Sequence, residues 1–316
     1  MKSPKIQVIA VTLALMGIIF FSAKAVIVKL AYQYEISAVP LLLLRMAFSL
    51  PVYLIIALIK RPFKPEEITK KDYLWLLTFG FIGYYLASLF DFMGLQYIKA
   101  SLERIILFIY PTLVLFITWI FFKKIPTRVQ VLAIIVTYIG IFITFGEELG
   151  VENSGEVLLG GFLVFLSALT YAFYLVGSGY LIPKFGAVTF TSYAMIVSCV
   201  CVVLHYSFTS TDDILAYPKE VYALGFLMAM ISTVIPSYLI SFAIKHMGAS
   251  NFSILGSMGP ISTIILANIF LDERLTYMQI LGAVVVIGGI LLVTTATGGK
   301  KAQAAMPGKT EKSATT

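Results

Sequence analysis

The chain has 316 residues, of which 59% are hydrophobic and 12% are charged, and its mean hydropathy is +0.95. These values exclude an ordinary soluble domain and are typical of a chain that spans a lipid bilayer. The net charge of +7 would fit a nucleic-acid-binding protein, but the basic residues lie between apolar segments, on the face that we predict to be cytoplasmic. We therefore expect no nucleic-acid partner.

Ten apolar segments follow one another along the chain, each close to the roughly 20 residues that a helix needs to cross the hydrocarbon core. Their short connections leave no room for a soluble catalytic domain, and the segments lack the alternating pattern of a membrane β-barrel. We predict an all-α membrane protein with ten transmembrane helices near residues 8–31, 38–59, 73–95, 102–121, 128–146, 157–178, 188–208, 221–242, 252–270 and 277–297.

Two stretches of the chain, 92–145 and 241–294, match without a gap at a fixed offset of 149. The match includes polar and backbone-specific residues that apolar composition alone does not explain: Pro111/Pro260, Thr127/Thr276, Gln130/Gln279 and Gly140/Gly289. We predict two copies of a five-helix unit over residues 1–147 and 148–297. A disordered cytoplasmic tail is expected over residues 298–316, which are rich in Gly, Ala, Lys and Thr.

The odd number of spans in each copy predicts that the second copy is inverted in the membrane relative to the first. The loop charges agree, because Lys123 and Lys124 of the first copy match Asp272 and Glu273 of the second. Most of the basic residues lie on the side of the N-terminus, which places both termini in the cytoplasm. Inverted repeats are typical of secondary transporters, so we predict a multi-pass protein of the plasma membrane, the inner membrane in a bacterium.

Charged residues inside the predicted spans are the most informative positions, because a central Lys, Arg or Asp costs about 2.5 to 3.5 kcal/mol in lipid. Lys24, Arg45 and Asp91 lie in the first three spans. Glu103 and Arg104 are placed at the outer mouth of the fourth span, where they could line the entrance to a cavity. The helical rise puts Lys24 and Arg45 at a similar depth, so they could share one chamber.

Two interpretations of these charges stay open. In the functional one, Lys24 and Arg45 bind an anionic substrate group, and Arg104 attracts anions at the mouth. Asp91 then balances the cations or carries a coupling proton. In the structural one, Lys24 pairs with Asp91 and Arg45 with backbone carbonyls, so that the charges only neutralise one another.

Aromatic residues of the second copy are the other candidates for a binding site. Tyr171 and Tyr174 lie one turn apart on the sixth span and could stack on a planar or apolar part of a ligand. Ordinary packing, or a belt at the membrane interface, is the alternative. Gly282 and Gly289 share one face of the last span and predict close packing against another helix.

Pro111 and Pro260 fall near the middle of the fourth and ninth spans, at matching positions of the two copies. Each proline removes a backbone donor and favours a kink. A pair of hinges for alternating access is one interpretation, and tolerated kinks without a role in gating are the other.

Short motifs resemble the drug/metabolite transporter superfamily, specifically its EamA-type members. The stretch 21–29 is similar to the family's Trp-Gly-Ser-x-Phe-x-x-x-Lys motif, with Phe21 and Ser22 in place of Trp and Gly, and Arg45 to its second-helix Arg. Glu273-Arg274, followed by Gln279 and Gly282, is similar to the family's Glu-Arg-x-x-x-x-Gln-x-x-Gly signature. The resemblance covers about residues 8–297 and implies small-molecule transport, often export, through a central cavity.

From these features we predict a secondary transporter that moves a small anionic or zwitterionic metabolite by alternating access, with export as the expected direction. The expected partners are this substrate, membrane lipid and protons as a coupling ion, with no cofactor and no metal. Because the chain has no enzyme motif, we predict that it is not an enzyme. A lipid-carrier flippase and a non-transporting membrane scaffold remain alternatives, and the sequence leaves monomer and homodimer open.

Overall fold

The computed structural model describes residues 4–123, 125–148, 154–209, 212–247, 255–256 and 258–304. These residues are nearly all helical and contain no strand, which confirms the predicted all-α class. Seven of their helices are long and apolar enough to cross a membrane, and three shorter apolar helices cover 128–144, 258–271 and 277–292. The ten predicted spans therefore correspond to ten apolar helices.

Ten long helices can be followed through the described residues. In chain order they are α1 (Pro4–Tyr32), α2 (Ala38–Ile59), α3 (Lys70–Leu95), α4 (Ala100–Phe122), α5 (Arg128–Glu148), α6 (Ser154–Phe185), α7 (Ala187–Thr209), α8 (219–247), α9 (Met258–Leu271) and α10 (Tyr277–Ala304). The ends of α1, α3, α5, α7 and α9 lie at one end of the bundle, which we call the predicted outer end.

Some boundaries, among them those at the C-terminus and of the ninth span, differ from the predicted ones or fall outside the described residues. The last helix continues to Ala304, so residues 298–304 are helical where we predicted the disordered tail to begin. The remainder of that predicted tail, 305–316, lies outside the described residues. The start predicted for the ninth span, 252, also lies outside them, and α9 is described from Met258.

The contacts between helices follow the duplication, because the main contacts have equivalents when the two copies are interchanged. The equivalent helices α5 and α10 pack together, and so do the equivalent helices α2 and α7. Helix α1 packs on α8 and α9, while its equivalent α6 packs on α3 and α4. The copies are thus related by a twofold arrangement, as expected of inverted repeats.

The contact between α5 and α10 depends on glycine at equivalent positions. A Cβ atom on Gly289 would lie 2.8 Å from the backbone nitrogen of Thr137, and one on Gly140 would lie 2.7 Å from that of Val286. These two contacts are equivalent, because Thr137 matches Val286 and Gly140 matches Gly289 at the offset of 149. The close packing predicted from the glycines of the last span is therefore confirmed, and its partner helix is α5.

Irregular backbone also recurs at the same offset. The segments Phe81–Leu86 in α3 and Met230–Val234 in α8 are π-helical. Lys123 and Asp272, which directly follow α4 and α9, both have a φ of 52°. Sequence patterns did not predict either feature, and π-helical segments are frequently found at functional sites.

The shared Thr and Gln residues form matching caps at the start of α5 and α10. The backbone N–H of Thr127 donates to Gln130 at 2.8 Å, and the N–H of Gln130 donates to the Thr127 hydroxyl at 3.3 Å. The equivalent distances for Thr276 and Gln279 are 3.0 and 3.2 Å. This reciprocal capping box satisfies amides that would otherwise lack partners at the helix start.

Candidate functional site

Four charged side chains meet between α1, α3 and α4. Lys24 comes from α1, Asp91 from α3, and Glu103 and Arg104 from the first turn and a half of α4. All four are buried, with exposed fractions of 5%, 2%, 0% and 0% in that order. We call these residues the buried quartet. Two positive and two negative side chains make it neutral when all four are ionised.

Lys24 joins the two carboxylates of the quartet. Its ammonium lies 2.5 Å from Asp91 Oδ2 and 3.4 Å from Glu103 Oε1. Arg104 Nε lies 3.7 Å from Glu103 Oε2, and the Arg104 guanidinium stands 5.3 Å from the centre of the Phe21 ring. The Lys24–Asp91 pairing of the structural interpretation is therefore present, and Glu103, which we placed at an outer mouth, is its second partner.

Three polar atoms of the quartet have no hydrogen-bond partner. They are Asp91 Oδ1, Glu103 Oε2 and Arg104 Nε. A buried polar atom without a partner costs about 1–3 kcal/mol, and more when the group is charged. The quartet is thus electrically balanced without being satisfied in its hydrogen bonds.

Arg45 lies apart from the quartet and has a different set of contacts. Its Nε donates to the Thr233 hydroxyl at 2.9 Å, and its terminal nitrogen donates to the Ser88 hydroxyl at 3.2 Å. The guanidinium also stands 5.6 Å from the centre of the Phe92 ring. The hydroxyl partners differ from the backbone carbonyls of the structural interpretation.

The surroundings of Arg45 combine both copies. Thr233 belongs to the π-helical segment of α8, and Ser88 and Phe92 flank Asp91 on α3. Arg45 is only 5% exposed, yet no ion pair among the described residues includes it. The site therefore holds one buried cation that hydroxyl groups contact and no carboxylate neutralises.

Tyr171 and Tyr174 belong to a cluster of rings between α3, α4, α6 and α7. Their ring centres lie 5.9 Å apart, and Tyr171 packs against Tyr110 at 5.3 Å. Tyr174 packs against Tyr84, a residue of the other π-helical segment, and its hydroxyl lies 3.2 Å from the Tyr84 hydroxyl. Tyr174 is buried, whereas Tyr171 and Tyr110 are half-buried.

Helix α4 is interrupted directly before Pro111. Its first part ends at Leu107 and its second part begins at Tyr110, with Phe108 and Ile109 in a turn. The N–H of Thr112 donates to Ile109 at 2.9 Å, which tightens the first turn after the break. Pro260 occupies the matching position in α9, two residues after Met258, where that helix is first described.

At the predicted outer end, Glu273 connects the second copy to α4. Its carboxylate accepts hydrogen bonds from the backbone N–H of Ala100 at 2.8 Å and of Ser101 at 3.1 Å, and from the Ser101 hydroxyl at 2.7 Å. A carboxylate at this place satisfies free amides at the start of a helix and interacts favourably with its dipole. We call this contact the outer clamp.

The structure brings together Lys24, Asp91, Glu103 and Arg104. It places Arg45 of α2 against the part of α3 that also carries Asp91. The tyrosines form a separate group, and Pro111 lies at the start of the second part of α4, directly after its break. Sequence reasoning missed the partners of Arg45 and the role of Glu273. The signal for Glu273 was present, because the motif that contains it was recognised, but its contact with α4 depends on the packing of distant segments.

Comparison with known proteins shows what the chain as a whole is similar to. The sequence model of the EamA-like transporter family matches residues 8–146 and 158–295. An uncharacterized transporter of Bacillus subtilis, YcbK, is 32% identical over 89% of this chain and 90% of its own length. An uncharacterized transporter of Synechocystis, sll1319, is 26% identical over 91% of this chain and 94% of its own. One solved crystal structure superimposes with a TM-score of 0.61 at 13% identity, over 92% of this chain and 98% of that one, which shows the fold alone.

Proposed function

The chain belongs to the EamA-like transporter family, and on that premise we propose a secondary carrier that moves a small anionic or zwitterionic metabolite by alternating access. One observation supports an anionic group in the substrate above the others. Arg45 is a buried cation whose polar contacts are two hydroxyl groups, one from each copy. A carrier, rather than an enzyme, is the function that this membrane-embedded arrangement supports.

The chemistry of Arg45 favours a carboxylate or phosphate group. A guanidinium presents several donors in a rigid fork that matches such groups, and it remains charged in a protein interior. Ser88 and Thr233 can hold the fork in place while other donors turn to the substrate. A planar or apolar part of the substrate would stack on the half-buried ring of Tyr171. Tyr174, whose ring stacks on Tyr171, would hold that ring in place.

Lys24 receives a different role in this proposal from the one predicted for it. Its ammonium is bound to Asp91 at 2.5 Å, so the lysine is neutralised where Arg45 is not. We propose that Lys24 positions the carboxylates of the quartet and that Arg45 takes the anionic group. Glu103 and Arg104, which we predicted to line an outer entrance, are buried in this conformation. We propose that they block access from the outer side.

Alternating access would use the two copies, which we propose to extend over 1–147 and 148–297, as the moving parts. The break before Pro111 supports a hinge in α4, and the matching Pro260 supports one in α9. Both termini would lie in the cytoplasm and the chain in the plasma membrane, the inner membrane of a bacterium. Export remains the proposed direction.

A counterflow assay tests the proposal on the purified full chain. Proteoliposomes loaded with unlabelled amino acids, carboxylates or sugar phosphates are mixed with a trace of the labelled compound, whose uptake by exchange is followed. We expect exchange of an anionic or zwitterionic compound. Loss of a charge-assisted hydrogen bond, worth about 1.5–3 kcal/mol, predicts an affinity about ten to a hundred times weaker in Arg45→Gln.

Lys64→Gln is the matched control, because this exposed cation of the α2–α3 connection pairs with exposed Glu67. It should exchange the same compound at the affinity of the wild type. Exchange of cations alone, unchanged in Arg45→Gln, would contradict the anionic substrate. Movement of long lipid-linked compounds would indicate the flippase alternative, and the absence of exchange for every class would indicate a scaffold.

A further inference from the structure

The two carboxyl groups of the buried quartet share one ammonium group. Lys24 reaches Asp91 at 2.5 Å and Glu103 at 3.4 Å, and both acids are almost completely buried. Because both acids contact the same ammonium group, their carboxyl groups are close neighbours. Two acids in such a position interact strongly, so they gain and lose protons as a pair.

The acid pair lacks a hydrogen-bond donor. Asp91 Oδ1 and Glu103 Oε2 are buried acceptors without a donor. Ionised carboxylates only accept hydrogen bonds, whereas a protonated carboxyl group also donates one. A single added proton therefore gives the pair the donor that it lacks, and it reduces the repulsion between two adjacent negative groups.

We propose that Asp91 and Glu103 together bind one exchangeable proton, and that this proton binds cooperatively with an anionic group at Arg45. The second half of this inference rests on the proposed function, whereas the proton site stands without it. The proton comes from water on one side of the membrane and returns to water on the other side. Ile240 and Phe252 occupy the equivalent positions of the second copy, so the second copy lacks these two acids.

The sign of the coupling follows from the charges around the pair. The charged and titratable groups recorded as interacting with one or both acids are Lys24 and Tyr32 from α1, Arg45 from α2 and Arg104 from α4. Cations therefore predominate around the two acids. Protonation removes one negative charge, which strengthens the attraction of Arg45 for an anion, and a bound anion in turn favours the proton.

Contacts with α3 make Arg45 and the acid pair near neighbours. Arg45 binds Ser88, three residues before Asp91, and its guanidinium stands over Phe92, the next residue. Both sites therefore use the same turn of one helix. Because proton and anion attract each other, the electrostatics favour their movement in the same direction over exchange of one for the other.

The first experiment is an infrared titration of the purified full chain, in which the probe is the proton itself. A protonated carboxyl group has an absorption band that disappears when it ionises. Besides the bands of the exposed carboxyl groups, we expect one band in the frequency range of carboxyl groups shielded from water to titrate in the wild type and to be lost or displaced in both Asp91→Asn and Glu103→Gln. Asp91→Glu keeps a carboxyl group, so it should retain a shifted band even if the asparagine variant does not fold.

Asp72→Asn is the matched control, because Asp72 is also a buried acid of α3 that pairs with a lysine, Lys184, at 2.9 Å. Its oxygens have donors from Thr69 and Lys184, so it needs no added proton. The titrating band should remain unchanged in this variant. A band that survives in both Asp91→Asn and Glu103→Gln, or no titrating band in that range, would overturn the proton site.

The second experiment measures the cooperativity with acetate as the probe, using thermal stabilisation of the same protein at several pH values. One linked proton strengthens acetate binding by at most about tenfold for each unit of decreasing pH. We expect this dependence in the wild type and its loss in Glu103→Gln. Acetate binding without pH dependence would overturn the coupling and leave the proposed function intact. No stabilisation by acetate, with the titrating band present, would count against the anionic substrate and remove the coupling.

Discussion

At the scale of single residues, Lys24 and Arg45 show how two buried cations of similar depth acquire different roles. Lys24 is held by the carboxylates of two other helices, whereas Arg45 is held by neutral hydroxyl groups. Burying a charge is costly unless it is paired or bound by hydrogen bonds. Both side chains meet that condition, but only Arg45 keeps its charge free to attract an anion.

The Lys24–Asp91 pair leads to a prediction about stability. Removing one partner of a buried ion pair costs about 3–5 kcal/mol, because it leaves the other charge uncompensated. We expect Lys24→Met to lower the free energy of unfolding by about that amount. The double variant Lys24→Met/Asp91→Val should recover most of the loss, as measured by unfolding titrations in mixed micelles, since Glu103 still has Arg104.

The Asp72–Lys184 pair provides the control for this experiment. Lys184 is 18% exposed, and Asp72 keeps its two hydrogen bonds from Thr69 after the lysine is removed. Lys184→Met should therefore cost clearly less than Lys24→Met. A double variant as unstable as Lys24→Met alone would mean that lost packing, rather than an uncompensated charge, causes the destabilisation.

At the scale of helices, matching positions of the two copies carry matching backbone features. The caps at the start of α5 and α10 and the π-helical segments of α3 and α8 are conformations that each copy adopts separately. Side chains differ much more between the copies than the backbone does. Tyr84 in one π-helical segment matches Thr233 in the other, so one packs on a tyrosine while the other holds Arg45.

The contact between α5 and α10 gives a prediction with a control at the adjacent residue. A Cβ atom on Gly289 would meet backbone atoms of α5 at 2.8 and 2.9 Å, whereas one on Gly288 would meet nothing within 4 Å. Gly289→Ala must separate the helices, so we expect a loss of about 1–3 kcal/mol in the free energy of unfolding. Gly288→Ala should be neutral or stabilising by up to about 1 kcal/mol, because alanine favours a helix. Equal effects of the two variants would contradict the packing described for α10.

At the scale of the whole molecule, the sequence predicted the helices and their duplication better than it predicted the site. Apolar length and the positions of Pro, Thr, Gln and Gly are local signals, and they correctly indicated ten apolar helices. The partners of Arg45 depend on how α2 packs on α8, and full burial of Glu103 depends on α1 lying against α4. Such contacts join residues far apart in the chain, and one sequence does not contain them.

The duplicated fold has two unlike ends. At the predicted outer end, the outer clamp joins the two copies, and the quartet joins α1, α3 and α4 of the first copy. The positions that match Asp91 and Glu273 are occupied by Ile240 and Lys124. Closure of the opposite end by symmetry would therefore lack the carboxylate contacts of the outer clamp and of the quartet. Substitutions of Glu273 and of the quartet should affect the outer end selectively.

The outer clamp provides the most direct test of that asymmetry. Loss of a helix cap costs about 0.5–2 kcal/mol, so we expect Glu273→Ala to raise the labelling rate of a Tyr110→Cys reporter about two- to thirtyfold. The thiol reagent is membrane-impermeant and is added from the outer side, with Cys199 and Cys201 replaced by serine. Arg274→Ala is the control, because this neighbouring side chain is 82% exposed and contacts only the exposed Asp272 among the ion pairs of the described residues. Equal labelling rates in Glu273→Ala and Arg274→Ala would mean that Glu273 caps α4 without holding the outer end closed.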